Sequence, residues 1–198
     1  MNYLDDVEKS SVNVENKSNW DWRPYLIIFS HGKESGPYGS KIKRLMDVAE
    51  ECDFPAVSID YRDCANADER VALLKDTIAR FGFHPTRIVL VGSSMGGYVS
   101  TVVANEMQVA GLFLMAPALW MPAEEYSVQT YHPITSRIEI VHGLQDDVVP
   151  HENSIRFARE ISGTTLHLVQ DDHRLKDSHD FLADMFKRFI CQIKKTIC

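Results

Sequence analysis

The chain has 198 residues, 44% of them hydrophobic and 25% charged, with a formal net charge of −7. Such a length suits one domain with a sizeable core, and the composition is that of an ordinary globular protein. The acidic balance, with no basic stripe to override it, argues against a nucleic-acid partner, and no apolar run reaches the roughly 18 residues needed to span a bilayer.

Met1 to Lys17 is acidic and polar, without the apolar core of a signal peptide or an anchor. Residues 1–23 are therefore expected to form a flexible lead-in, with Trp20 and Trp22 docking where a single folded domain, 24–198, begins. Tyr25 to Ser30 reads as the first strand. A helix opens at Gly39 or Ser40, with Ile42, Leu45, Met46 and Ala49 on one face at helical spacing. Phe54 to Asp60 reads as a second strand, and Ala67 to Phe81 as a second helix with Val71, Leu74, Ile78 and Phe81 inward and Gly82 as its C-cap.

The next segment, Arg87-Ile-Val-Leu-Val-Gly-Ser-Ser-Met-Gly-Gly97, is the most informative of the chain. An apolar strand runs into Gly92-Ser93-Ser94-Met95-Gly96 and a helical pattern follows at once, which is the strand–turn–helix context of a G-x-S-x-G nucleophile elbow. At so sharp a turn the positions two before and two after the serine crowd the neighbouring strand and helix, hence Gly92 and Gly96. The helix start aims free backbone N–H groups at whatever Ser94 attacks. The spacing from Gly92 to Gly97 does not match G-x-G-x-x-G, so a dinucleotide site is not indicated.

A serine hydroxyl needs a base, and the base a carboxylate to orient it. Val109 to Met115 reads as a fourth strand buried on both faces, followed at Ala116 to Ser136 by a loop with at most one short helix. Arg137 to Val141 reads as a strand that ends in His142-Gly-Leu-Gln-Asp-Asp-Val-Val-Pro150, and His151 to Ile161 as a helix. Thr164 to Val169 reads as the last strand, with Asp171-Asp172-His173 on the loop beyond it, and Phe181 to Ile193 as the last helix. Serine, acid and histidine thus follow three separate strands, in the order Ser94, Asp146, His173. Asp147 replaces Asp146 if the loop register slips by one. His31 and His142 are expected to hold their loops, His167 to be a satisfied strand side chain, and His179 to be solvated.

Alternating strands and helices imply a parallel sheet covered on both faces. Four motifs resemble those of the α/β-hydrolase superfamily over roughly residues 24–195: the elbow at Ser94, Ser30-His31-Gly32-Lys33 as an oxyanion loop, His142-Gly143-x-x-Asp146-x-x-Val149-Pro150 as an acid loop, and Asp172-His173. The resemblance implies an α/β three-layer sandwich on a mainly parallel sheet of about six strands, order 2-1-3-4-5-6, like the small cap-less esterases and thioesterases. It implies Ser94, Asp146 and His173 as a catalytic triad and backbone N–H groups of Met95 and Lys33 as the oxyanion hole, with Gly32 beside the substrate. Leu119, Trp120, Met121, Tyr126 and Tyr131 are more apolar than a solvated loop should be, so they either pack on the core or, as expected for Trp120 and Met121, line an acyl pocket near Ser94.

The function expected is hydrolysis of a small-molecule acyl ester or thioester. A peptidase, an acyltransferase, a dienelactone-type hydrolase on the same fold, or a non-catalytic binding module are the alternatives. No metal spacing is present, and no cofactor is expected. Cys52, Cys64, Cys191 and Cys198 lack C-x-x-C spacing and read as free thiols of a cytoplasmic protein, monomeric or homodimeric.

Overall fold

Apolar strands and amphipathic helices alternate along the chain, and in the computed structural model, which describes residues 25–135 and 137–195, they build a sheet between two helical layers. The expected lead-in with Trp20 and Trp22, and Cys198, lie outside the described residues. The strands are β1 (Leu26–Ser30), β2 (Ala56–Ile59), β3 (Ile88–Ser93), β4 (Gly111–Met115), β5 (Ile138–Gly143) and β6 (Thr164–Val169). All pair in parallel, in the order β2-β1-β3-β4-β5-β6. The helices are α1 (Ser40–Glu51), α2 (Ala67–Phe81), α3 (Met95–Glu106), α4 (His151–Glu160) and α5 (His179–Lys195).

Because side chains alternate across a strand, each central strand feeds both layers. Leu26, Ile28, Ile88, Leu90, Leu112 and Leu114 face α2, α3 and α4, where they meet Leu74, Val99 and Phe157. Ile27, Phe29, Val89, Val91, Phe113 and Met115 face α1 and α5, where they meet Leu45, Phe186 and Phe189. Burying each such aliphatic or aromatic side chain contributes about 1.5–3 kcal/mol relative to exposure, so the β1–β3–β4 centre is the stable anchor of the fold. Edge strand β6 is only partly covered.

Several boundaries differ from the sequence pattern for local reasons. β2 starts two residues after Phe54, whose N–H closes on Ala49 O at 2.9 Å, and it stops before Asp60, whose carboxylate turns to Arg62. Val109 lies outside β4 because its N–H bonds Ile134 O at 3.1 Å, across the loop rather than along the sheet. The segment after β4 contains no helix among its described residues, and it is too short for a cap domain. Gly82 ends α2 in the left-handed conformation, as the pattern predicts. Among the described residues no helix is long and apolar enough to cross a membrane.

Candidate active site

Parallel pairing sets the carboxyl ends of all six strands on one rim. Ser30 lies opposite Gly92, Ser93 opposite Met115, Met115 opposite Val141, and Gly143 opposite Val169. The loops leaving β1, β3, β4, β5 and β6 at that rim carry the residues the sequence singles out.

Ser94 joins β3 to α3 with φ 54° and ψ −121°, a conformation that costs about 1–3 kcal/mol and persists only where the surroundings enforce it. They do so here through the backbone. Ser94 N–H donates to Met115 O at 2.9 Å, and Ser94 O accepts from the N–H groups of Gly97 (2.8 Å), Ala118 (3.0 Å) and Tyr98 (3.2 Å). No side chain fits on either side of the turn. A Cβ on Gly92 would lie 2.3 Å from Gly96 O, and one on Gly96 would lie 2.0 Å from Ser30 O.

The imidazole of His173 bridges Ser94 and Asp146. Its Nε2 lies 3.0 Å from Ser94 Oγ and its Nδ1 2.7 Å from Asp146 Oδ2. A carboxylate only accepts, so Nδ1 carries the hydrogen and Nε2 offers its lone pair to the hydroxyl. The Asp146 side chain is fully buried. Its Oδ2 also accepts from His142 Nε2 at 2.9 Å, and its Oδ1 accepts from the N–H groups of Val148 (2.9 Å) and Val149 (2.8 Å). Burial alone would raise this carboxyl, but the hydrogen bonds from His142, His173, Val149 and Val148 outweigh it and hold Asp146 well below the usual carboxylate range. Asp147 is exposed, and the network is built on Asp146. His142 is itself oriented by Ser154 Oγ, 2.7 Å from its Nδ1.

The loop after β1 is held from behind. Burial pulls the His31 imidazole below the ordinary histidine range; its Nε2 accepts the Tyr61 N–H at 3.0 Å and its Nδ1 donates to Gly32 O at 2.7 Å. Arg70, in α2, is 5% exposed and donates from Nη1 to the carbonyls of His31 (3.2 Å) and Gly32 (3.3 Å). Its guanidinium also lies 5.3 Å from the Tyr61 ring centroid, its Nε has no partner, and no carboxylate among the described residues pairs with it. Among the described residues there are no cis peptides, and across a trans peptide C=O and N–H point in opposite directions. With Gly32 O tied to His31 and Arg70, the Lys33 N–H therefore points away from them. Gly32 itself abuts Ser94, since a Cβ there would be 3.3 Å from Ser94 Cβ. Met95 is the first residue of α3, so its N–H has no acceptor within the helix. The sequence pattern identified His31 as a loop holder but missed Arg70, which sits in α2 as one more charged residue of an amphipathic helix.

A cleft of about 490 Å³ opens over Ser94 and His173. Gly32, Lys33 and Met121 line it, together with Ala118, Tyr126 and Val149. Trp120, expected beside the substrate, is placed elsewhere. Its ring packs edge-on to Tyr131 (4.9 Å) and Phe157 (6.3 Å) with the Arg156 guanidinium 4.0 Å above it, and it is not among the residues lining the cleft. The backbone turns left-handed at Trp120, with φ 50°, and there the side chain joins the α4 layer. His167 bonds Glu139 at 3.0 Å. His179, expected in solvent, has its Nε2 buried without a partner. Among the described residues no group of three His, Cys, Asp or Glu side chains is placed to hold a metal ion.

Known proteins share this architecture. A bovine (Bos taurus) mitochondrial protein named palmitoyl-protein thioesterase ABHD10 is 23% identical over 78% of this chain and 68% of its own length. A putative hydrolase of the alpha/beta superfamily from Xanthomonas campestris superposes with a TM-score of 0.73 at 28% identity, over 85% of this chain and 99% of that one. Est1E from Butyrivibrio proteoclasticus, a structure of which holds ferulic acid, superposes with a TM-score of 0.73 at 17% identity, over 86% of this chain and 90% of that one; at that identity the likeness is one of fold. Residues 35–160 match the family described as alpha/beta hydrolase fold, and with its strand order and elbow in agreement the chain belongs to that family.

Proposed function

We propose that the protein is a serine hydrolase that cleaves an ester or thioester of a small to medium acyl group through an acyl-enzyme on Ser94. The observation that carries this reading is the unbroken hydrogen-bond chain from Ser94 Oγ through His173 to Asp146 at 3.0 and 2.7 Å. His173 Nε2 takes the serine proton as Oγ adds to the carbonyl, and Asp146 stabilises the imidazolium that forms. The oxyanion lies against the N–H groups of Met95 and Lys33, each such donor being worth about 3 kcal/mol in the transition state. The tetrahedral adduct collapses with the C–O or C–S bond breaking, and His173 returns its proton to the departing oxygen or sulfur. Water, deprotonated by His173 in turn, then releases the acid and restores Ser94.

The name of one relative, palmitoyl-protein thioesterase, supports acyl thioesters or esters as the substrate class. The size of the cleft, about 490 Å³, supports a small to medium substrate. The test combines two measurements. A fluorophosphonate probe should label wild type but not Ser94→Ala, and p-nitrophenyl acyl esters should be hydrolysed with a burst of nitrophenol. Failure of both in folded protein would sink the reading in favour of a binding module.

A further inference from the structure

The charge of the cleft runs against that of the chain. Although the net charge is −7, four cations line the cleft, Lys33, Lys41, Arg174 and Lys176, against one acid, Glu34. One of the cations is neutralised: Lys33 Nζ is bound to Glu125 at 2.8 Å. Among the described residues, no carboxylate lies within ion-pair distance of Lys41, Arg174 or Lys176. The nearby carboxylates are engaged elsewhere, Asp146 by His142 and His173, Asp171 by Ser178 and the Asp172 N–H, and Asp172 by the Arg174 N–H, so three cations without a direct ion pair around one cleft form an anion-seeking surface.

The three are also grouped. Lys41 stands in the first turn of α1, with its Nζ donating to the carbonyl of His173 at 3.2 Å. Arg174 and Lys176 follow His173 on the same loop. Burial pulls the Lys41 ammonium down to about 8, partly offset by the charges of Asp146, Asp172 and Asp171. An anion bound there would therefore reinforce its charge as well as pair with it. Most of the apolar lining, Ala118, Met121, Tyr126, Val148 and Val149, comes instead from the loops after β4 and β5, with Ile42 of α1 the one apolar lining residue beside the cations.

The three cations without an ion pair thus gather on α1 and the His173 loop, and most of the apolar lining lies on the other loops. His173 must protonate the leaving group, so the group that departs lies beside the His173 loop, and the acyl part is left to the apolar lining. The geometry points to a substrate with an uncharged acyl group and an anionic leaving group, its carboxylate or phosphate held by Lys41, Arg174 and Lys176. This specificity rests on the hydrolase reading above.

Matched substrates test it. 4-(Butyryloxy)benzoate is compared with its methyl ester, which places a carboxylate or its neutral counterpart on the leaving group, and butyryl-CoA with butyryl-N-acetylcysteamine does the same for phosphate. Phenyl hydrogen glutarate against phenyl valerate places the charge on the acyl side. At least one leaving-group pair should show kcat/KM higher for the anion by about tenfold or more, as for charge-assisted hydrogen bonds, and the pair that does so names the source of the charge. The acyl-side pair should show no gain. Lys41→Met and Arg174→Gln should each lower that anionic-to-neutral ratio, and 0.5 M NaCl should shrink it as well.

A ratio near one for both leaving-group pairs, or one unmoved by Lys41→Met, overturns the proposal while leaving ester hydrolysis intact. Binding to Ser94→Ala by calorimetry gives a readout independent of turnover. If that variant binds neither anionic compound more tightly than its neutral partner, the proposal fails whatever the kinetics. If no compound is turned over and the fluorophosphonate does not label Ser94, the hydrolase reading fails separately, and a binding preference for the anion would still uphold the anion site.

Discussion

His142 and His173 donate to the same atom, Oδ2 of Asp146, at 2.9 and 2.7 Å. One carboxylate oxygen is thus shared between a histidine that faces the serine and one that faces the core, while the other oxygen is held by backbone N–H groups. The carboxylate has no freedom to rotate, and His142 acts as a positioning residue for it. His142→Leu is expected to lower kcat with little change in KM, by less than Asp146→Asn and by more than Asp147→Asn. Equal losses for the two histidine-free and aspartate-free variants, or a change in KM alone, would contradict this role; steady-state hydrolysis of p-nitrophenyl butyrate is the measurement.

The two adjacent acids should separate sharply. Asp146→Asn replaces an acceptor by an amide that cannot orient the His173 tautomer, and a loss of about 10⁴-fold in kcat is typical of that change. Asp147 is exposed and outside the network, so Asp147→Asn should stay close to wild type in the same assay.

Acid stability carries the signature of Asp146. Its carboxyl is held below its value in the unfolded chain, about 3.9, so folding favours the charged form. The stability this supplies is fully present above that unfolded value and is lost as the pH falls through the lower folded one. Wild type should therefore exceed Asp146→Asn in Tm at neutral pH, with the gap closing as the pH drops below about 4. A gap that is constant from pH 7 to pH 3 would refute the assignment.

Arg70 can be tested against the loop it braces. Arg70→Met removes the donor to His31 O and Gly32 O and frees the Gly32–Lys33 peptide to turn. The expected result is a fall in kcat, within the about 3 kcal/mol that one oxyanion donor supplies, together with weaker binding of a trifluoromethyl ketone transition-state analogue. A purely structural role would lower Tm without weakening that inhibitor relative to KM.

Gly96→Ala should be far worse than Gly36→Ala. The first forces a Cβ to 2.0 Å from Ser30 O, whereas the second meets nothing nearer than Arg62 Cδ at 4.0 Å. Overpacking of this kind costs roughly 1–3 kcal/mol or more, and backbone on both sides leaves no side chain to yield. Thermal melts of the two variants decide it.

Much of this arrangement is legible in the residues because it depends on local pattern. The branched apolar runs of β1, β3 and β4 are buried on both faces, so they stand out as continuous hydrophobic segments, and the elbow glycines mark a steric conflict that the sequence cannot hide. The placement of Arg70 is not legible, since its pairing with two carbonyls is made across the fold, 39 and 38 residues away. Trp120 misled for a similar reason. An aromatic residue in a loop near the rim reads as a cleft wall, but a left-handed turn sends it to Tyr131 and Phe157. That Lys41 bonds the His173 carbonyl and makes no direct ion pair among the described residues is equally invisible in one dimension, because whether a lysine meets an acid is decided by what the folded chain brings beside it.

The elbow is clamped by main-chain hydrogen bonds from the sheet, from α3 and from the loop at Ala118, whereas the cleft walls are largely side chains on separate loops. The serine is therefore held by different contacts from those that shape the cleft wall around it. Exchanges at Met121 can reshape that wall without displacing the hydroxyl at its centre, whereas Lys41, bonded to the His173 carbonyl, ties the wall to the imidazole.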